Sequence, residues 1–502
     1  MSNNKKIAVI IGAGPSGLAC AYELINQNPS IKPIIIEKNS YVGGLAHTIT
    51  NDCFGYDIFG YKLKTDYQYI KNIWFKFLKP QNSPAIDDIY SARYIQYPNL
   101  GVNPNEEDDV MLIRRDFSSI YKNSQFLLYS LGVNFSLIKQ VGFKDFFSII
   151  FSAIKSFIFK KPEITAKDAL INRFGLVFYN KFLKDMIKKL YGHKSYEISS
   201  DFIQDAFGDI NLFSYIFELL VYKSNFLNLR KQMPMFSKFY YPKFGLSSLW
   251  DLMADYIKQN GGEILLNSNV LDVISNNQKI VGVRYENEFG MIKELDVDYC
   301  ATSMPLKKLI NNFDTFPDIK KYAQKLQYRH ILALTFCTSD FHLKNRTNFK
   351  TVNNITPEID IIVLENDCLV SKVILHNNIS PYYLGDFRVN YLTTMLYYLD
   401  EFDDLWQMDN NKVIELAHSE AKRIGLFSKK DVKKVYVNRF PNAICSYSGT
   451  YFDVAPVREF LKEFNNLYLL GSNANHKIMP IDEAMFCGIN VAREIDRNYY
   501  EQ

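Results

Sequence analysis

The 502 residues hold no Cys-x-x-Cys pair, no His-Glu-x-x-His and no apolar run long enough to cross a bilayer. The seven cysteines, at positions 20, 53, 300, 337, 368, 445 and 487, are scattered and odd in number. That argues against a disulfide framework and a zinc site, and it suits a reducing cytoplasm. The seven histidines show no paired spacing, so no metal site is expected. Charge of one sign is also scarce. A net +4 over this length argues against nucleic acid as a partner. Internal repeats and low-complexity linkers are absent as well. A membrane-spanning helix needs about 20 apolar residues. The nearest stretch, Phe146 to Phe159, contains Lys155 and runs into Lys160-Lys161. Its favoured reading is a buried helix of a helical subdomain. The alternative is a basic amphipathic helix in a membrane interface, a peripheral contact and not a span.

What is present is ordinary in bulk and specific in one place. Hydrophobic residues at 47% and charged residues at 22% describe a globular chain with a large core, divided into two or three domains. The aromatic content of 15% is mostly core material. The specific place is the N-terminus. Ile7 to Ile11 reads as a buried strand, Gly12-Ala13-Gly14-Pro15-Ser16-Gly17 follows at once, and Leu18 to Ile25 continues at helical spacing. A second apolar run, Ile34-Ile35-Ile36, ends in Glu37 and Lys38, and then comes Gly43-Gly44-Leu45. A dinucleotide-binding βαβ unit needs that order. Gly12 permits the tight turn, Gly14 lets a pyrophosphate approach the backbone, and Gly17 lets helix and strand pack closely. The helix start, with Pro15 and Ser16, offers N–H groups and a positive dipole end. Glu37 stands where a carboxylate accepts from ribose hydroxyls. The second glycine pair points to FAD over NAD, because a flavin chain must run past that loop. Lys5-Lys6, the apolar run and Ala19-Cys20-Ala21 mimic a signal peptide, but three glycines and Pro15 interrupt any apolar helix there.

Further along, residues 105–230 read as mostly helical. Thr165 with Asp168 forms a capping box, and an apolar stripe from Ala169 to Leu190 closes at Gly192. A helix is expected over Ser247–Gln259, and then a strand at Glu263–Leu266. A meander over 270–298 and a mostly antiparallel sheet over 326–400 come next. The chain closes with a strand at 467–471 and a helix from Asp482, placed as its N-cap. A helix N-terminus there would stabilise negative charge on a reduced flavin.

With these residues in view, the chain resembles the FAD-dependent amine oxidase and protoporphyrinogen oxidase superfamily. Within it, the chain is most similar to the branch of UDP-galactopyranose mutase and its oxidoreductase relatives. The resemblance rests on the glycine turn, Glu37, Gly43-Gly44-Leu45, Tyr56-Asp57-Ile58-Phe59-Gly60, Asn172-Arg173-Phe174-Gly175, Tyr191-Gly192 and Tyr241-Pro242-Lys243. Ser303-Met304-Pro305-Leu306, Tyr328-Arg329, Ser380-Pro381, Asn466 to Gly471 and Asp482 complete it. It implies an α/β architecture: a Rossmann-like FAD-binding domain with a helical cap and a mostly antiparallel substrate sheet. The FAD domain would comprise residues 1–75, 239–305 and 431–502, the cap 105–230, and the substrate sheet domain 306–430. Val270 falls where the family contacts adenine. Gly471, Ile481, Asp482 and Ala484 fall at the flavin end.

The departures bear on the reaction. Phe59-Gly60-Tyr61 replaces the family's Gly-Gly-His. Asp205-Ala206-Phe207 lacks the mutase arginine, Lys372 stands for another, and Gly471-Ser472 replaces Gly-Arg. His476 and Ile478 replace two tyrosines. A diphosphate favours bidentate guanidinium, so these losses weigh against mutase activity. The first expectation is therefore an FAD-dependent oxidoreductase that passes a hydride from a substrate C–H bond to flavin N5. Its candidate pocket residues are Tyr61, Lys372, Tyr447 and His476. The alternative is a non-redox nucleotide-sugar mutase using reduced flavin, with Lys62, Arg329 and Lys372 on the diphosphate. The third is a protein that keeps FAD without turnover. The expected partner is a small-molecule substrate, a nucleotide sugar being one class.

Overall fold

The computed structural model describes residues 5–51, 54–93, 97–128, 142–207, 238–313 and 317–501. Lys6–Ile11 is the middle strand of a five-stranded parallel sheet. The order is Glu263–Leu265, Ile31–Ile36, Lys6–Ile11, Tyr299–Thr302, Leu467–Leu469. Ala8 to Ile11 and Ile34 to Ile36 are buried, which is why these strands read as continuous apolar runs. The sheet draws its strands from three distant stretches of chain. Helix Pro15–Gln27 packs on one face and is crossed by the closing helix Ile481–Glu501. The crossing is tight at Gly488, where a Cβ would sit 2.1 Å from the Ser16 carbonyl oxygen. The closing helix starts at Ile481, so Asp482 lies inside its first turn and is not the N-cap.

The meander forms as expected, Asn269–Asn276, Lys279–Glu286 and Ile292–Asp296 pairing antiparallel. Its first turn is two residues, Asn277 and Gln278, both at positive φ, which matches the strand twist. The largest sheet has seven strands. Its order is Val432–Cys445, Tyr328–Thr338, Tyr391–Leu399, Lys372–Leu375, Asp360–Val363, Ser118–Lys122, Gln125–Leu128. All pairs are antiparallel except Asp360–Val363 with Ser118–Lys122.

Three expectations are corrected. Residues 110–128 are strands, not helix: Val110–Arg115 pairs with Lys238–Pro242, and the other two extend the seven-stranded sheet. The same sheet runs past residue 430, because Val432–Cys445 pairs along Tyr328–Thr338. The stripe from Ala169 to Leu190 is not one helix. It breaks at Gly175 (φ +82), where a Cβ would meet the Ala153 backbone nitrogen at 2.6 Å. The chain then resumes through a wider turn at Tyr179–Leu183 and ends at Gly192. Thr165 and Asp168 do form the capping box. Residues 129–141 and 208–230, within the stretch read as mostly helical, lie outside the described residues.

Helix Phe143–Ile158 also departs from its favoured reading. Ile149 and Ala153 are buried, but Phe143, Phe147 and Phe151 are 71%, 63% and 73% exposed. The period that buries one face of a helix looks the same in sequence when the opposite face is apolar too.

Candidate functional site

The glycine turn is shaped by what surrounds each missing side chain. Gly12 has φ +104, and a Cβ there would stand 2.1 Å from Ser303 Oγ. At Gly17 a Cβ would stand 2.0 Å from the Gly12 carbonyl oxygen, which fixes how closely the helix folds back over the turn. Gly14 differs: nothing lies within 4 Å of its Cβ position. Gly44 faces it, a Cβ there standing 3.4 Å from the Gly14 Cα, and the Gly43 N–H donates to the Ala13 carbonyl at 2.8 Å. The two glycine loops thus close on each other and leave open space at Gly14. Trp250 backs the second loop. Its ring lies against Gly43, and its Nε1 donates to the Ala46 carbonyl at 2.9 Å.

Glu37 closes the cradle. The buried carboxylate accepts from the Ala13 N–H at 2.8 Å and from Asn39 N and Nδ2 at 2.9 and 2.8 Å. The chain after strand Glu263–Leu265 runs beside it, with Ser268 N donating to the Glu37 carbonyl at 2.8 Å, which brings buried Val270 to the same end. Lys38 is exposed there, and desolvation together with the Lys38 charge holds the pKa of Lys308 below its ordinary value. At the other end, Gly471 (φ +61) sits against Ser16, and a Cβ would meet Ser16 Oγ at 2.6 Å. Ile481, Asp482 and Ala484 follow in the first turn of the closing helix. Burial, reinforced by Asp66 nearby, pushes the Asp482 carboxyl above its ordinary range.

The sheet side is built from paired side chains. Lys62 contacts Asp116 and lies 3.0 Å from Asp360. Lys372 lies 3.3 Å from Asp360 and 3.5 Å from the Phe59 carbonyl. The two lysines hold the Asp360 carboxyl far below its usual range despite burial. Buried Arg329 bonds the Tyr398 carbonyl and forms an ion pair with Asp400 at 3.3 Å. Gly192 makes room for it: a Cβ there would overlap the guanidinium, 1.9 Å from Nη1. Beside them, burial raises the hydroxyls of Tyr61, Tyr191 and Tyr398 above their ordinary range, and neighbouring Asp57, Tyr398 and Tyr61 respectively add to it. These three phenols are therefore neutral donors at any ordinary pH. Behind them Asp57, bonded by Tyr241 and by the Leu246 N–H at 3.3 Å, is pushed up to about 6 by burial.

Two family models match this chain. Residues 10–77 match the NAD(P)-binding Rossmann-like domain, and residues 140–496 match the flavin containing amine oxidoreductases. The second match covers well over half of the sequence. The chain belongs to the flavin-containing amine oxidoreductase family. Solved structures share its fold at low identity. A reduced UDP-galactopyranose mutase superposes with a TM-score of 0.72 at 12% identity, over 98% of this chain and 93% of that one. An Exiguobacterium protein assigned as a protoporphyrinogen oxidase gives 0.65 at 15%, over 99% of both. Putrescine oxidase with bound putrescine gives 0.59 at 12%, over 98% and 99%.

In this flavin amine oxidoreductase the four candidate pocket residues fall into two pairs. Tyr61 and Lys372 both lie beside Phe59, at the seven-stranded sheet. Tyr447 and His476 lie together near the end of the chain. The Tyr447 hydroxyl donates to Asp205 and accepts from the Ile478 N–H, both at 2.7 Å. The fully buried His476 ring bonds the Ser446 carbonyl at 3.1 Å and lies 5.1 Å from the Tyr328 ring. Burial pulls its pKa down to about 4, so it is neutral. Tyr328 lies against His476 of the second pair, and the next residue, Arg329, bonds the Tyr398 carbonyl. Reading the sequence missed Gly488, Trp250 and Tyr398. A lone Gly inside an amphipathic helix was the one available signal, for Gly488.

Proposed function

We propose that this flavin amine oxidoreductase holds FAD and oxidises a small-molecule substrate by removal of a hydride from a C–H bond. The observation that carries this reading is the pairing of Lys62, Lys372 and Arg329. Each cation that a nucleotide-sugar diphosphate would need is already matched by a carboxylate of the chain itself. Moving any of them to a diphosphate would first break an ion pair that the chain already makes, and for Lys62 that pair is with buried Asp360. The neutral phenols of Tyr61, Tyr191 and Tyr398 instead suit a substrate held by neutral hydrogen bonds and packing.

The residues fit the cofactor. The open space at Gly14, faced by Gly44, admits a pyrophosphate, and the first turn of helix Pro15–Gln27 offers it N–H groups. Glu37 exchanges its bond from Ala13 for ribose hydroxyls, with Val270 at the adenine end. Gly471 and the first turn Ile481-Asp482-Glu483-Ala484 stand at the flavin end. Bound FAD would supply the hydride acceptor. The protein contributes position: Tyr61 and Tyr398 orient the substrate, and Lys372 stays on Asp360. The scattered free cysteines fit a cytoplasmic location.

The test is cofactor extraction followed by anaerobic titration with candidate substrates, nucleotide sugars included. Bleaching of the flavin band by one substrate supports the reading. Turnover of UDP-galactopyranose only after dithionite reduction would replace it with the mutase. FAD retained with no reaction across a broad panel would leave a binding protein.

A further inference from the structure

Helix Phe143–Ile158 presents a second apolar face for which the active site has no use. Phe143, Phe147, Phe151, Ile154 and Ile158 are all exposed, and at 100° per residue they fall within an arc of about 80°. The opposite face is fixed. Ile149 and Ala153 are buried, and the Ala153 backbone is close enough to Gly175 to leave no room for a Cβ. The outward stripe is therefore held rigidly at the surface, where a patch of this size marks an interaction site.

The charges beside it say what it meets. Lys144 and Lys155 run along one edge of the stripe, and Lys160 and Lys161 stand at its C-terminal end, all four exposed. Among the described residues none of the four forms an ion pair. The helix's one carboxylate, Asp145, lies on the far side and is 2.7 Å from Lys181. Glu163, nearby, accepts from Asn172 at 3.0 Å. A second copy docked symmetrically on this face would set lysine against lysine. A membrane surface with anionic headgroups complements both features at once: apolar side chains at the acyl boundary and lysines among phosphates. The helix is about 24 Å long, shorter than the ~30 Å hydrocarbon layer. Among the described residues no helix is long and apolar enough to cross a membrane. We infer that helix Phe143–Ile158 lies in the plane of an anionic phospholipid surface and docks the protein there as a peripheral membrane protein.

The test is co-sedimentation of the full-length protein with vesicles of phosphatidylcholine alone and with one-third phosphatidylglycerol. Two variants accompany it, Phe147→Ser/Phe151→Ser and Lys155→Glu/Lys160→Glu/Lys161→Glu. Both alter exposed side chains, and thermal unfolding checks that both fold. The wild type should bind the anionic vesicles at least about tenfold more tightly than the neutral ones, and added salt should weaken that binding. The phenylalanine variant should lose about tenfold on the anionic vesicles, and the lysine variant should lose the preference for anionic lipid. A wild type that stays in the supernatant with both vesicles overturns the inference. So does a phenylalanine variant that binds as well as the wild type. A wild-type dimer that Phe147→Ser/Phe151→Ser turns into a monomer would assign the face to a second copy instead.

Discussion

At the glycine turn the work is done by main chain from which side chains must stay clear, whereas under the seven-stranded sheet it is done by side chains that must match one another in charge. Gly12, Gly17 and Gly488 are each hemmed in at about 2 Å, by Ser303, by Gly12 and by Ser16. Only Gly14 is open. On the sheet side, Asp360 exists in its charged form because Lys62 and Lys372 flank it, and Arg329 has its place because residue 192 has no side chain. The first kind of site tolerates almost no added atoms. The second tolerates change as long as the charges still balance.

The largest effect should therefore come from a methyl group in the wrong glycine. Gly17→Ala forces backbone against backbone and should cost more than about 4 kcal/mol, enough to abolish soluble folded protein. Gly14→Ala adds the same atom to open space. The fold should survive, with thermal unfolding of the cofactor-free protein unchanged, while retained flavin falls at least about tenfold. Equal damage from both would break the distinction between packing glycine and cofactor glycine.

Next in size is acid sensitivity, which belongs to buried side chains and not to the glycine turn. Buried His376 bonds Thr394 at 2.8 Å, and burial pulls its pKa down to about 3; His476 is pulled down to about 4. Above the unfolded value of about 6.5 both are neutral in either state, and their contribution is whole. As the pH falls, the unfolded chain takes up the protons first, so stability drops by about 1.4 kcal/mol per unit for each. Between pH 6.5 and 5 the unfolded histidines go from half to fully protonated, and the pair loses roughly 3 kcal/mol. Asp57 opposes them: with its carboxyl pushed up to about 6, acidification from pH 6 to 5 returns about 1 kcal/mol. Urea unfolding at about pH 6.5 and 5 should show a net loss near 2 kcal/mol, and His376→Gln should remove most of it.

How much of this was legible in the sequence follows the same division. The turn at 12–17, Glu37, the Thr165 cap and the meander are local, each set by residues within a few positions, and the structure has all four. Lys62 meeting Asp116 and Asp360 depends on Ser118–Lys122 adding to the sheet beside Asp360–Val363, a pairing no periodicity announces. Gly488 matters because Ser16, from the other end of the chain, lies against it. The outward face of Phe143–Ile158 carries the same helical period as a buried one, so pattern alone could not say which way it turned.

The sheet side gives the next two predictions. Asp360→Asn leaves Lys62 with Asp116 but strips Lys372 of its carboxylate, and should cost about 3 kcal/mol in thermal unfolding. Lys372→Met should do far less. Asp360 keeps Lys62 at 3.0 Å, Lys372 is about a fifth exposed, and the cost should stay near 1 kcal/mol. The consequence for substrate is sharper than the one for stability. A lysine occupied by Asp360 has no hand free for a diphosphate, so once a substrate is found its KM should move less than about threefold in Lys372→Met. A lysine that grips a diphosphate would give up a charge-assisted bond worth about 1.5–3 kcal/mol, raising KM by more than tenfold with kcat little changed. That second outcome would show that the charges under the sheet are matched only until substrate arrives, and it would move the reaction towards a nucleotide sugar.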